Sequence, residues 1–112
     1  MDRAALATWP GAGRWRVEVL EESPSTNAAL ASRARAGEAP GLVLVAEHQT
    51  AGRGRLDRAW VTPPRAALTF SLLVSPVEVP LPRWPWLPLL TGVAVVDGVR
   101  EATGVETSLK WP

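Results

Sequence analysis

Cysteine is absent from the 112 residues, which removes a disulfide framework, a thiolate metal site and a cysteine nucleophile. Its absence accords with a reducing compartment, and a cytoplasmic location is expected. An excess of one charge is also lacking. Twelve Lys and Arg stand against 11 Asp and Glu, leaving a net charge of +1, so no long-range field draws in nucleic acid or an anionic membrane. Neither partner is expected. The longest strongly apolar run, 87–96, is far below the ~20 residues that span a bilayer. The opening Met1-Asp2-Arg3-Ala4 has no apolar stretch of the signal-peptide kind. His48 is the single histidine. With no cysteine and no carboxylate at ligand spacing, neither a metal-ligating set nor a Ser-His-Asp arrangement can be assigned, and no metal-binding residue is expected.

What remains is ordinary globular material, 46% hydrophobic and 21% charged, enough for one core. Residues 1–13 are small and turn-rich and read as a flexible leader, and 14–112 as the folded part. Apolar and charged residues alternate over 15–19, the period of a half-buried strand. Ser25-Thr26-Asn27 supplies N-cap residue types before an Ala-rich helix over 28–36, which stops at Gly37. The unbroken apolar run 42–46 reads as a strand buried on both faces. Residues 49–65 carry no periodicity and read as loop, and 67–74 as another strand. Prolines crowd 76–88 and imply an extended connector. Helical spacing of Leu89, Val93, Val96 and Val99 predicts a mostly buried helix over 89–103, and a strand is expected over 105–111. Alternating strands and helices make the fold class α+β, a mixed sheet with helices packed on it.

The chemistry concentrates in Glu47-His48-Gln49-Thr50-Ala51-Gly52-Arg53-Gly54-Arg55-Leu56-Asp57-Arg58-Ala59-Trp60. It follows the buried strand directly, where open sheets place ligands. Gly52 and Gly54 let the backbone take conformations closed to other residues and approach a ligand closely, and Arg53, Arg55 and Arg58 carry guanidinium groups that pair bidentately with carboxylate or phosphate oxygens. The Walker pattern G-x-x-x-x-G-K-S/T is absent, and Asp57 stands where a dinucleotide fingerprint needs its third glycine. A solvated arginine turn is the plain alternative. An RNA contact is weaker, since the chain is nearly neutral. Ser25, Thr26 and Asn27 are explained by helix capping, or else face a polar ligand where helix donors are free. Gln49 can donate and accept, as a urea or amide edge requires. The tryptophans read first as core and connector packing.

Taken together, Ser25-Thr26-Asn27, the stretch from Gln49 through Arg58 to Trp60, and Leu109-Lys110-Trp111-Pro112 resemble the biotin protein ligase family in order and spacing. The family pattern is S-T-N at a helix start, Q-x-A-G-R-G-R-x-x-R-x-W in the biotin loop and K-W-P-N-D on a later strand. The match runs from about Val17 to Pro112 and covers the N-terminal portion of the family's catalytic domain. The pattern's Asn-Asp, a downstream catalytic lysine and a small C-terminal β domain lie beyond the Lys-Trp-Pro motif.

The resemblance implies biotin as substrate, ATP with Mg²⁺ as co-substrate and activator, a biotinyl-adenylate intermediate, and transfer to a lysine of a carboxylase's biotin carboxyl carrier domain. It implies that Ser25, Thr26, Asn27 and Gln49 surround the ureido ring. Gly52, Arg53, Gly54 and Arg55 would fold over the carboxylate and the adenylate phosphate, and Arg58 would face the ATP phosphates. Arg55 and Arg58 are thereby the expected catalytic residues. Trp60 would close the loop as a lid or anchor it in the core, and Lys110, Trp111 and Pro112 would begin a motif near the site. The family's loop commonly orders on biotin binding, and a homodimer is compatible with the resemblance. Asp57 departs from the glycine often found there, adding a negative charge to an anion site. The carboxylate expected to help hold Mg²⁺ and an N-terminal helix-turn-helix have no counterpart in these residues, so a repressor role is not implied. A lipoate or octanoate ligase or transferase, which should lack the Arg-Gly-Arg loop, and a non-catalytic biotin-binding remnant are the alternatives.

Overall fold

The computed structural model describes residues 1–110 and divides the chain into two compact units, Met1–Ser75 and Pro76–Pro112. The first unit is built on a β-α-β crossover. β1 (Arg16–Ser23) and β2 (Leu42–Gln49) lie parallel, joined through α2 (Thr26–Arg35), and β5 (Thr69–Leu72) runs antiparallel on the other side of β2. The sheet order is β1-β2-β5. A two-residue antiparallel pair, β3 (Gly52–Arg53) with β4 (Ala59–Trp60), projects from the segment between β2 and β5. The mixed sheet with packed helices is the α+β architecture expected from the sequence.

Period-2 alternation decides which residues meet α2. Leu42 and Leu44 of β2 turn to the face that α2 covers, where Leu30 joins them in the core cluster and Leu20, Ala29 and Leu73 pack around it. Glu18, paired with Leu44 in the sheet, lies on this face and holds Arg33 of α2 at 2.6 Å. Val43 and Val45 point to the opposite face, beside Val17 and Val19 of β1. Here an open cleft of about 530 Å³ separates Arg3, Leu6 and Ala7 from Val17 and Val19. As the central strand, β2 is covered on both sides, with Leu42 1%, Leu44 2%, Val45 4% and Ala46 1% exposed. That coverage is the reason its first five residues, 42–46, are all apolar.

Both ends of α2 obey capping rules. Ser25 is extended (φ −159°, ψ 120°) and its hydroxyl accepts from the Ala28 N–H at 3.3 Å. At the far end Gly37 takes φ +94°, a left-handed conformation that only glycine adopts cheaply.

Within the span expected as a leader, Arg3–Thr8 forms a short helix, α1. The Asp2 carboxylate caps it by accepting from the Ala4 and Ala5 amides. Six residues are too few to show an amphipathic stripe in the sequence. The Met1 ammonium pairs with Glu47, at the end of β2. That hydrogen bond holds the Glu47 carboxyl below its ordinary range, partly opposed by desolvation and aided by Arg65 and Arg3.

The second unit corrects three expectations. The proline-rich 76–88 segment is not extended throughout, since Leu81–Trp86 forms a 3-10 helix containing Pro85. A proline's fixed φ suits that helix, and its missing N–H matters little where few internal bonds form. The Trp84 indole N–H donates to the Val79 carbonyl at 3.0 Å. The helix α3 (Leu87–Thr103) has no buried residue. Its periodicity does mark one less exposed side, with Leu89, Gly92, Val96 and Val99 at intermediate accessibility. Helical spacing identifies the face that could be buried without supplying the surface that buries it. No strand forms over 105–110; β-prone residues need a neighbouring strand to hydrogen-bond. Leu109 instead approaches Gly92, where an added Cβ would lie 2.8 Å from a Leu109 methyl. Trp111 lies outside the described residues.

The β2 core predicts a large, local sensitivity. Leu44→Ala should lower the unfolding free energy by about 2–4 kcal/mol, measured by urea denaturation, whereas Leu90→Ala, at a 63% exposed position, should change it by less than about 1 kcal/mol.

Candidate functional site

The site forms where β2 ends and α2 begins. Two backbone bonds draw the chain after β2 against the link between β1 and α2: Thr50 N–H to the Ser23 carbonyl at 3.0 Å and Ala51 N–H to the Pro24 carbonyl at 2.8 Å. This places the Gln49 side chain against the first residue of α2. Its Oε1 accepts from the Thr26 backbone N–H at 2.9 Å and from the Thr26 hydroxyl at 3.2 Å. Thr26 is 2% exposed, and its hydroxyl also lies 2.9 Å from the Ser71 hydroxyl of β5. Ser25, Thr26 and Gln49, three residues singled out in the sequence, are thus neighbours. Asn27, in the first turn of α2, is exposed.

The arginine loop is joined to this cluster by Gly52. A Cβ there would fall 2.7 Å from Gln49 Nε2 and 2.7 Å from the Trp60 carbonyl oxygen. No side chain fits between the Gln49 amide and the facing strand. Gly52 and Gly54 were expected to supply unusual backbone angles, yet neither takes a positive φ; Leu56 and Asp57 do, each at φ 56°. Space explains Gly52, whereas the left-handed turn falls on a leucine and on an aspartate that tolerates it better. The departure at Asp57 therefore stands where glycine would meet no strain.

Beyond Gly52 the loop spreads its cations. Arg53 pairs with Ala59 across the β3–β4 ladder, and its guanidinium is 3.5 Å from the Asp57 carboxylate. Gly54 N–H donates to the Arg58 carbonyl at 2.7 Å, closing the loop at its base. Arg55 and Arg58 are exposed, and among the described residues neither forms an ion pair. Trp60, opposite Gly52 in the ladder, is 56% exposed, so its ring is not anchored in the core. The arrangement offers the Gln49 side-chain amide beside a helix N-terminus with three exposed guanidinium groups alongside, which suits a ligand with one polar head and one anionic end.

Lys110 belongs to the second unit and is exposed; Trp111 and Pro112 lie outside the described residues. His48 approaches Glu22 of the neighbouring strand at 3.4 Å, consistent with a strand-end polar residue. Among the described residues no group of three or more His, Cys, Asp or Glu could hold a metal ion, and no helix is long and apolar enough to cross a membrane. Ser71 was missed in the sequence. The available signal was two hydroxyls inside the run 67–74, Thr69 and Ser71, spaced to share one face of β5.

A β-α-β unit with a polar clasp where α2 begins and an arginine hairpin beyond β2 characterises the first unit as an α+β domain. The model of the Biotin/lipoate A/B protein ligase family matches residues 10–112, and the chain belongs to that family. It is 46% identical over 106 residues to a biotin–(acetyl-CoA-carboxylase) ligase of Mycobacterium tuberculosis, covering 91% of this chain and 40% of that protein. To a bifunctional ligase/repressor BirA of Bacillus subtilis it is 46% identical over 72 residues, covering 64% and 22%. Among solved structures it resembles a biotin protein ligase from Aquifex aeolicus in complex with biotin and ATP, with TM-score 0.73, 37% identity and coverage of 87% of this chain and 39% of that one. A biotin protein ligase from Leishmania major in complex with biotinyl-5-AMP gives TM-score 0.67 at 33% identity, covering 86% and 38%. The chain thus spans about two fifths of the length of the M. tuberculosis relative and of these solved structures.

The contact at Gly52 yields a prediction. Gly52→Ala should leave the Leu30–Leu42–Leu44 core intact but part the β3–β4 ladder, so trypsin should cut after Arg53 and Arg55 several-fold faster at an unchanged unfolding midpoint. Cleavage at the wild-type rate would show that the hairpin absorbs the methyl group.

Proposed function

We propose that this chain carries the biotin- and adenylate-gripping part of an ATP-dependent biotin protein ligase. The observation that carries the reading is the junction of Gln49 with Thr26 and Gly52, which sets a polar clasp at the N-terminus of α2 beside Arg53, Arg55 and Arg58. In the proposed first step a biotin carboxylate oxygen attacks the α-phosphorus of ATP, the bond to the β-phosphate bridge breaks, and biotinyl-5'-AMP and pyrophosphate form. In the second, a neutral lysine amine of a carboxylase's biotin carrier domain attacks the mixed anhydride. An amide forms, AMP leaves and the amine gives up a proton.

Both reactants of the first step are anions, so their approach needs fixed positive charge. Arg53 and Arg55 are assigned to the carboxylate and the adenylate phosphate, and Arg58 to the ATP phosphates. Ser25, Thr26, Asn27 and Gln49 are assigned to the ureido end, and Trp60 to a lid over the adenylate. Magnesium would enter with the ATP phosphates; the described residues do not fit a protein-held Mg²⁺, and no step is assigned to the ion. Lys110, Trp111 and Pro112 are assigned to the family's Lys-Trp-Pro motif. The natural setting of this chemistry is the cytoplasm, and a homodimer is compatible with it.

Because the family includes lipoate ligases, the test pairs the two acids. Calorimetry with the 112-residue chain should show heat for biotin and none for lipoate. Arg53→Ala and Arg55→Ala should each weaken biotin about tenfold, the scale of one charge-assisted hydrogen bond. Heat with lipoate alone would transfer the assignment to the lipoate branch.

A further inference from the structure

We infer that Ser71 of β5 is a positioning residue of this site, one that orders the Thr26 hydroxyl and so makes Gln49 a donor-only contact for the ligand. The inference rests on the biotin reading for the ligand's identity, but its hydrogen-bond logic rests on proton counting alone. The backbone N–H of Thr26 can only donate, so the Gln49 atom 2.9 Å from it is the carbonyl oxygen. An amide oxygen can only accept, so at 3.2 Å from that oxygen the Thr26 hydroxyl is the donor. A hydroxyl has one proton. With it given to Gln49, the 2.9 Å contact between Thr26 and Ser71 requires Ser71 to donate. The chain of bonds therefore runs one way, from Ser71 to Thr26 to Gln49.

The direction has a chemical consequence. Two donors already occupy the Gln49 carbonyl, and its two amide N–H groups remain. That nitrogen faces Gly52, at the base of the arginine hairpin, where a side chain of any other residue would cover it. The group that meets Gln49 must accept hydrogen bonds. A carbonyl oxygen such as that of a cyclic urea fits this position, whereas a ureido N–H does not. Neither does a dithiolane ring, whose sulfurs are weak acceptors. Ser71, acting through the Thr26 hydroxyl, thereby contributes to the choice between a urea-bearing and a disulfide-bearing acid.

The decisive variant is Gln49→Glu. A carboxylate keeps both bonds to Thr26 and sits well at the N-terminus of α2, yet it has no donor to offer. Its unfolding midpoint at pH 8 should stay within about 3 °C of wild type, while Thr26→Val, which loses the hydroxyl at similar volume, should fall further. Biotin affinity of Gln49→Glu should drop more than about tenfold. Ser71→Ala should weaken biotin about fivefold and Ser71→Thr, which retains the hydroxyl, should restore it to within about twofold. Equal or tighter biotin binding by Gln49→Glu would overturn the inference, because the ligand would then be donating to residue 49. Unchanged affinity in Ser71→Ala would remove the positioning role. If the wild-type chain itself gives no heat with biotin, the proposed function fails, and the midpoints alone decide the bond direction: Gln49→Glu destabilised as much as Thr26→Val would overturn it.

Discussion

The amide of Gln49 closes the gap between the last residue of β2 and the first residue of α2, and the geometry of the site depends on that closure. Parallel strands joined by a helix leave a crevice where the helix starts and the strand ends. In this chain the crevice is bridged by Thr26, one of the least exposed residues of the first unit. A buried hydroxyl must be satisfied, since leaving one unpaired costs about 1–3 kcal/mol, and Thr26 is satisfied from β2 and from β5 at once. The clasp therefore joins three elements, α2, β2 and β5, on the same face of the sheet as the apolar core. Gly52 then has to be small, and the hairpin that carries the arginines leaves the sheet at a fixed place.

Burial and charge are separated along this arrangement. Leu30, Leu42 and Leu44 make the support rigid, while Arg53, Arg55 and Arg58 stay in water at the end of a two-residue ladder. Exposed guanidinium groups pay little desolvation before a ligand arrives and can close on an anion when it does. The Asp57 carboxylate beside Arg53 is a weak competitor at 3.5 Å and full exposure. The left-handed angles at Leu56 and Asp57 put modest strain into the same turn.

Much of the first unit could be read from the residues. The apolar run of β2, the alternation of β1 and the cap-to-glycine frame of α2 are local signals, and each local signal had a tertiary partner to confirm it. The three-part motif likewise named Ser25, Thr26, Gln49 and Gly52 before their proximity was visible. What escaped was relational. Ser71 looked like one polar interruption of a strand, because its value lies in a 2.9 Å contact 45 positions away in sequence. Gly52 was credited with unusual torsions when its role is to leave room. The strand expected over 105–111 and the burial expected of α3 both required a neighbouring surface, and periodicity reports a residue's preference without supplying what it packs on.

The proposed biotin site is the clasp of Thr26 and Gln49 with the hairpin from Gly52 to Trp60. A ¹⁵N-labelled chain titrated with biotin and followed by heteronuclear NMR tests this directly. The backbone amides of Thr26, Gly52 and Arg53, the side-chain NH₂ of Gln49 and the indole of Trp60 should move together along one binding curve, while the amides of Leu42 and Leu44 stay in place. Shifts clustered instead around the cleft of Leu6, Val17 and Val19, with the Gln49 NH₂ unmoved, would contradict it.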